Sequence, residues 1–322
     1  MPQRSTDSPP FEQLNSGYNA VFQQNQLSLG LVVPIEAYPR TAVPTMVDHI
    51  NRVRMAESLG FSAVWLRDVP FNVASFGDAG QTFDPFVYLG ALAARTSTIA
   101  LGVASVILPL RHPAHVAKAA ATADVLSDGR LLLGIASGDR PDEYPATGVA
   151  YVDRGERFRD SYAYIRNMAA QRPSIANGFG HVAGIDMLPK PVAQRLPLLI
   201  TGSSQQSNEW IARHADGWMT YPRPANQQLQ LIDDFRGRVS AAGDHDKPVM
   251  EPLYIDLVAD RNAAPQPIHL GLRLGVNALC DYLRTRQQIG VNHVALNLRF
   301  NNADIPATLQ TLADAVIPEF SR

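Results

Sequence analysis

Three stretches of this 322-residue chain end in residue types suited to holding a flat ligand and a phosphate. Two of them, closing on Ala104-Ser105 and on Ser137-Gly138-Asp139, are continuously apolar and then run into small or polar residues. Small side chains at such ends let a planar ring lie directly against backbone. The third is Gly202-Ser203-Ser204-Gln205-Gln206-Ser207, which precedes an amphipathic segment containing Trp210, Ile211 and His214. A Gly-Ser-Ser turn at a helix N-terminus exposes free N–H groups, adds hydroxyl donors and sits at the positive end of the dipole. A phosphate there needs no lysine. Simple N-capping by Ser203 or Ser204 is the alternative use of the same residues.

Other polar residues carry weaker signals. Asp68 closes an apolar run beside Arg67; it either contacts the active site or pairs with Arg67 to structure the loop that follows. Asn297 and Arg299 share one face by period-two alternation. Facing inward, they would reach the polar edge of a ring or the substrate, and the arginine would favour an anionic ring. Facing outward, Arg299 would pair with Asp304. His112 precedes Pro113, the pattern of a helix start rather than of a general acid–base, and Asp128-Gly129 reads as a turn. His49, His115, His214, His245 and His293 fall into neither HxxxH nor HExxH, so no metal is expected. No GxGxxG follows the first strand, which disfavours a Rossmann dinucleotide site.

Eight strand–helix units would position these groups. They are Leu27–Val33 with Val43–Leu59, Ser62–Leu66 with Phe83–Arg95, Thr98–Ala104 with His115–Leu126, and Arg130–Ala136 with Arg154–Ala170. The remaining four are Leu198–Thr201 with Ser204–His214, Gly217–Thr220 with Asn226–Ala241, Pro252–Val258 with Gly275–Gln288, and His293–Leu298 with Ile305–Ile317. Apolar strands alternating with helices belong to buried parallel sheets. Eight units is the count of an α/β (β/α)8 TIM barrel with long loops at its C-terminal mouth; a doubly wound sheet is the alternative. The expected division is an N-terminal arm, residues 1–25, and a single barrel domain, residues 26–322. Two connections are long: Val69–Thr82, and residues 171–197, an insertion that is either a lid or surface decoration.

Composition sets the class. Hydrophobic residues make up 46% and charged residues 18%, an ordinary globular balance with ample core. A net charge of −2 argues against nucleic acid or an acidic membrane as partner. No apolar run approaches a bilayer span, and Met1–Asn25 lacks the pattern of a signal peptide, so a cytoplasmic location is expected. Cys280 is the single cysteine, which rules out an intrachain disulfide.

Several ordered motifs resemble the luciferase-like flavin-dependent monooxygenases. They are Ala56-Glu57-Ser58-Leu59-Gly60-Phe61 with Val64-Trp65, Leu101-Gly102-Val103 through Leu108-Pro109 and His112-Pro113, and Asp124 to Arg130. Gly134-Ile135-Ala136-Ser137-Gly138, Leu199 to Ser204, and Ala215-Asp216-Gly217-Trp218 complete the set. Within that family, Val64–Pro70 and Gly290–Val294 look like an uncharacterised oxidoreductase subgroup. The resemblance implies FMN, in reduced form as cosubstrate, or in some branches a deazaflavin. By position it implies that Ala104-Ser105 is a non-prolyl cis peptide against the ring and that Ser137 and Asp139 lie around the flavin. Gly202, Ser203, Ser204 and Ser207 would hold the phosphate, and Asp68 would be an active-site contact.

It further implies a small-molecule substrate, a separate NAD(P)H:flavin reductase and a homodimer, with Phe83–Arg95 as a candidate face. One departure stands out: Val69 and Pro70 occupy places where near relatives carry histidines. The expected activity is therefore a monooxygenase using reduced FMN and O₂ on a substrate other than a long-chain aldehyde. The alternatives are hydride transfer with a deazaflavin, or flavin binding without catalysis.

Overall fold

The structure, a computed structural model, describes residues 10–320. Residues 1–9 of the expected N-terminal arm, like 321–322, lie outside the described residues. Eight parallel strands close on themselves: β1 (Ser28–Val32), β2 (Ala63–Leu66), β3 (Ala100–Ile107), β4 (Leu131–Ala136), β5 (Leu198–Thr201), β6 (Gly217–Met219), β7 (Val249–Leu257) and β8 (His293–Asn297). Pairing of β8 with β1, and of β6 with β7, completes the ring. The fold is a TIM barrel; the open doubly wound sheet does not occur.

Side-chain alternation divides the core in two. Outward residues of the strands pack under the helices, forming the large cluster around Leu31, Val64, Leu101, Leu133 and Leu296. Inward residues Ala63, Trp65, Ala100, Leu132, Leu199, Met219, Met250 and Ala295 form a second cluster inside the barrel. Glycines make room for the large members of this set. A Cβ at Gly102 would lie 2.2 Å from the Trp65 ring, and one at Gly30 would lie 2.7 Å from the His293 imidazole.

The described part of the N-terminal segment is built into the barrel. Helix Ser16–Val21, capped by Asn15, sends Tyr18 and Val21 into the inner cluster from the N-terminal end of the strands, and its flanks add Phe11 and Phe22. The Tyr18 hydroxyl donates to the Asp216 carbonyl at 2.7 Å. The barrel floor is thereby closed.

Most helices start where sequence chemistry places them. Asp84 accepts from the Phe86 and Val87 amides with Pro85 in the first turn, and His112 caps Pro113–Leu126. Three helices depart most from expectation. The first helix is His49–Ser58 rather than Val43–Leu59: the Glu36 carboxylate accepts the Thr45 and Met46 amides, and Met46 and Asp48 take positive φ, so residues 43–48 form a loop. The fifth starts at Asn208, because Gly202, Ser204 and Gln205 all have positive φ. The last breaks at Val316, before Pro318, into Ile305–Ala315 and Ile317–Phe320.

The 171–197 insertion contains a small hairpin, Ile175–Asn177 with Gly180–Val182. It is a helix-to-strand connection, so it leaves from the floor side and climbs the outside of the barrel. Asn177 donates to the Asp160 carbonyl at 2.9 Å and Val192 N–H to Asp124 at 2.8 Å. None of its residues lines the mouth cavity described below. A second hairpin, Gln266–Ile268 with Gly271–Leu274, was not foreseen; its second strand pairs in parallel with β7.

Candidate active site

The C-terminal ends of the strands surround a cavity of ≈ 570 Å³. Its deeper wall is apolar: Val32, Ala104, Met219, Met250, Pro252 and Ala295. Period-two alternation continues past the strand ends and brings polar groups to the rim, Tyr254 after Pro252 and Asn297 and Arg299 after Ala295. Arg67 follows Trp65 in the same way. The volume suits a ligand the size of a tricyclic ring.

At β3 the Ala104–Ser105 bond is cis, and both residues line the cavity. The register of β3 against β4 shifts between Val103 and Val106, so the chain turns this peptide toward the interior. The Ser105 hydroxyl hydrogen-bonds Thr201 on β5. Gly134 is required beside them, because a Cβ there would lie 2.3 Å from the Val103 carbonyl.

Asp78, from the loop after β2, organises one side of the mouth. Its Oδ2 accepts from Arg67 Nη1 at 2.7 Å and lies 3.2 Å from Arg299 Nη1. Oδ1 accepts the Tyr38 hydroxyl at 3.1 Å and the Gly80 amide at 2.9 Å. Burial opposes ionisation of Asp78, but the Arg67 guanidinium and its hydrogen bond prevail and hold the carboxyl below the usual carboxylate range. Arg299 also donates to the Gly77 carbonyl at 2.7 Å and the Thr41 carbonyl at 3.2 Å. Its partner is thus Asp78, not Asp304, which caps the last long helix instead. Arg140 stacks on Phe76, 4.1 Å from the ring centroid, and donates to the Asp78 carbonyl at 3.3 Å. Three guanidiniums, Arg67, Arg140 and Arg299, thus gather around Asp78, with Asp139 and Glu143 also acting on Arg140.

The remaining candidates separate. Asp139 lines the cavity, whereas Ser137 is buried beneath it and its carbonyl accepts the Tyr144 hydroxyl. Asp68 does not line the cavity: Arg111 takes both its oxygens, at 2.7 and 2.9 Å, and the Ile107 amide donates at 3.1 Å. Its ion pair is with Arg111 rather than Arg67. In the Gly202–Ser207 turn, Ser203 is exposed, the Ser204 hydroxyl donates to the Thr201 carbonyl at 2.8 Å, and Ser207 caps the following helix by accepting from Trp210 N–H. Among the described residues no group of three or more His, Cys, Asp or Glu could hold a metal ion, and no helix is long and apolar enough to cross a membrane.

Sequence reasoning missed three members of the site. Asp78 sits between Gly77 and Gly80 in a loop with no periodicity. Arg67 was legible, since Ala63, Trp65 and Arg67 alternate. His269 comes from the unforeseen hairpin and lines the cavity with Leu270.

Comparison with known proteins gives a consistent picture. Residues 27–265 match the luciferase-like monooxygenase family. An uncharacterised protein of Mycobacterium tuberculosis is 32% identical over 268 residues, spanning 78% of this chain and 87% of that protein. Among solved structures, a monooxygenase from Streptomyces bottropensis superposes with a TM-score of 0.77 at 20% identity, over 91% of this chain and 100% of that one. An F420-dependent secondary alcohol dehydrogenase gives 0.76 at 16% identity, over 92% and 100%. The oxygenating constituent of a Pseudomonas putida diketocamphane monooxygenase, in complex with FMN, gives 0.74 at 12% identity, over 92% and 99%.

Proposed function

The chain belongs to the luciferase-like monooxygenase family, whose members are flavin- or F420-dependent oxidoreductases, and from that premise we propose a monooxygenase that uses reduced FMN and O₂ on a small organic substrate. One observation carries the reading. The cavity combines a flat apolar wall, Ala104-Ser105, with a rim of Arg67, Asn297 and Arg299, the donor set a ring with a hydrogen-bonding edge requires.

The residues fit such a cofactor. Ala104 and Ser105 would back the ring, leaving no side chain in its plane. Arg299, fixed by Asp78, would face the pyrimidine edge and favour its anionic form. Asp139 would flank the ring, and Ser137 would support that wall from below. The Gly202–Ser207 turn would take the phosphate through its backbone N–H groups and the exposed Ser203, since the Ser204 and Ser207 hydroxyls are engaged internally. Asp68 would act by holding Arg111 and the end of β3 in place, as a positioning residue. When bound, the cofactor supplies two-electron transfer; the protein supplies orientation and a pocket poor in water. A separate NAD(P)H:flavin reductase would deliver the reduced form, and the enzyme would work as a homodimer.

A second reading, hydride transfer with a deazaflavin, is supported by the likeness of the fold to an F420-dependent secondary alcohol dehydrogenase.

Anaerobic titration of the purified protein with FMN and with the deazaflavin, each oxidised and reduced, followed by mixing with O₂, tests the choice. Preference for reduced FMN together with a fast reaction with oxygen supports the first reading. Preference for the deazaflavin with indifference to oxygen supports the second, and failure to bind either cofactor removes both.

A further inference from the structure

The hairpin after β7 places an imidazole where the proposed cofactor would meet its substrate. Its two strands pair from Gln266↔Arg273 to Ile268↔Gly271, leaving a two-residue tip, His269-Leu270, with Leu270 at φ 52°. The tip is tied to the barrel wall. Gly271 to Leu274 run parallel to Tyr254 to Leu257, and the Tyr254 amide donates to the Leu270 carbonyl at 3.3 Å. Gly271 allows this approach, since a Cβ there would lie 1.9 Å from the Tyr254 carbonyl oxygen. The His269 ring stands 6.2 Å from that of Tyr254 and 6.0 Å from that of Phe300, centroid to centroid.

Topology sets the facing. In the closed ring of eight, β3 and β7 are four strands apart and therefore opposite one another. A ring backed by Ala104-Ser105 on β3 turns its free face toward β7, where Tyr254 and His269 line the cavity. The charged and titratable groups sharing the cavity with His269 are Arg67, Asp78, Asp139, Tyr221, Tyr254 and Arg299. Among these side-chain types, imidazole is the one suited to both giving and taking a proton near neutral pH. Burial pushes the phenols of Tyr221 and Tyr254 up, away from that range.

We propose that His269 is the catalytic proton donor and acceptor on the substrate side of the cofactor, a role that rests on the flavin-type reading above. A compound held between the ring and the hairpin tip exchanges its proton with this imidazole, and the rigid tip sets the distance. The hairpin thereby also limits substrate size.

Imidazole NMR of the whole protein tests this without knowledge of the substrate. The chain has eight histidines, and His269→Asn identifies the resonance by removing it. Addition of oxidised FMN or deazaflavin, whichever quenches protein fluorescence, should shift the His269 ring resonances, because the flavin ring displaces water from the imidazole. The other histidines should move less. Where FMN binds, oxidation of the reduced complex by O₂ to hydrogen peroxide should show an inflection between about pH 5 and 8 that His269→Asn and His269→Ala abolish. A His269 resonance indifferent to a cofactor that demonstrably binds overturns the proposal and leaves the cofactor reading intact. Absence of binding by either cofactor overturns both.

Discussion

The Trp65 indole N–H donates to Nε2 of His293 at 2.8 Å, inside the barrel and beneath the cavity. Indole is a donor only, so Nε2 carries no proton and Nδ1–H points to the Ser28 hydroxyl at 2.7 Å. That hydroxyl passes its own proton to the Val21 carbonyl at 2.7 Å. The chain stitches β2, β8 and β1 to the floor segment through one neutral imidazole. Burial pushes the His293 pKa down to about 3.

Acid stability should record this residue. The folded value lies below the ordinary histidine value, so the unfolded state takes up the proton first. The contribution, up to ~5 kcal/mol, is fully present above pH ~6.5 and is lost as pH falls toward about 3. Urea unfolding of wild type and His293→Gln at several pH values checks it. The variant should be less stable at pH 7.5 and should lose less on acidification. Parallel curves would show that His293 does not titrate with unfolding.

Asp78→Asn should leave Arg67 and Arg299 without their counter-charge. All three side chains are mostly buried, with 20%, 8% and 11% exposure for Arg67, Asp78 and Arg299, so the loss should be about 2–4 kcal/mol. In wild type this contribution is present above the ordinary carboxylate range and fades as pH drops through the depressed value of Asp78. Denaturant midpoints measure it. A neutral result would mean that the hub is solvent-screened.

Ala104→Phe should fill the flat wall of the cavity while leaving the fold intact. Affinity for FMN or deazaflavin should fall roughly 100-fold, ~2.7 kcal/mol, in fluorescence titrations. Unchanged affinity would move the ring away from β3.

Ser203→Asp adds negative charge to the exposed serine of the left-handed turn. FMN affinity should fall about tenfold, ~1.4 kcal/mol, whereas riboflavin, lacking the phosphate, should bind as before. Equal effects on both ligands would take the phosphate elsewhere.

Asp68→Asn and Arg111→Gln should each destabilise the protein by about 2 kcal/mol, and the double variant should cost little more than either single one. Additive losses would separate the two residues. A loss of turnover without a loss of stability in Asp68→Asn alone would return Asp68 to the reacting atoms.

The barrel was legible because apolar strands and helix caps are local signals. Asp84-Pro85 and His112-Pro113 start helices as their side chains dictate. Period two puts Asn297 and Arg299 on one face, but that this face turns inward is set by the closed barrel. What escaped was tertiary choice. Nothing in residues 43–48 announces that Glu36 will draw the Thr45 and Met46 amides out of a helix. Asp68 and Asp78 are both acids after β2, and only the folded loop decides that one serves Arg111 and the other Arg67 and Arg299. The hairpin bearing His269 is three to four residues per strand, too short for alternation to register.

Tyr18, Phe11 and Phe22 make the barrel a cup instead of a tube. Whatever occupies the β3 wall must come and go through the same opening as whatever sits above it. Boarding order then becomes a matter of depth: the ring enters first, the second compound settles on top, and the product departs before the ring can. Kinetics of this enzyme should be sequential with the cofactor leading, and an excess of the second compound, arriving early, should block the entrance.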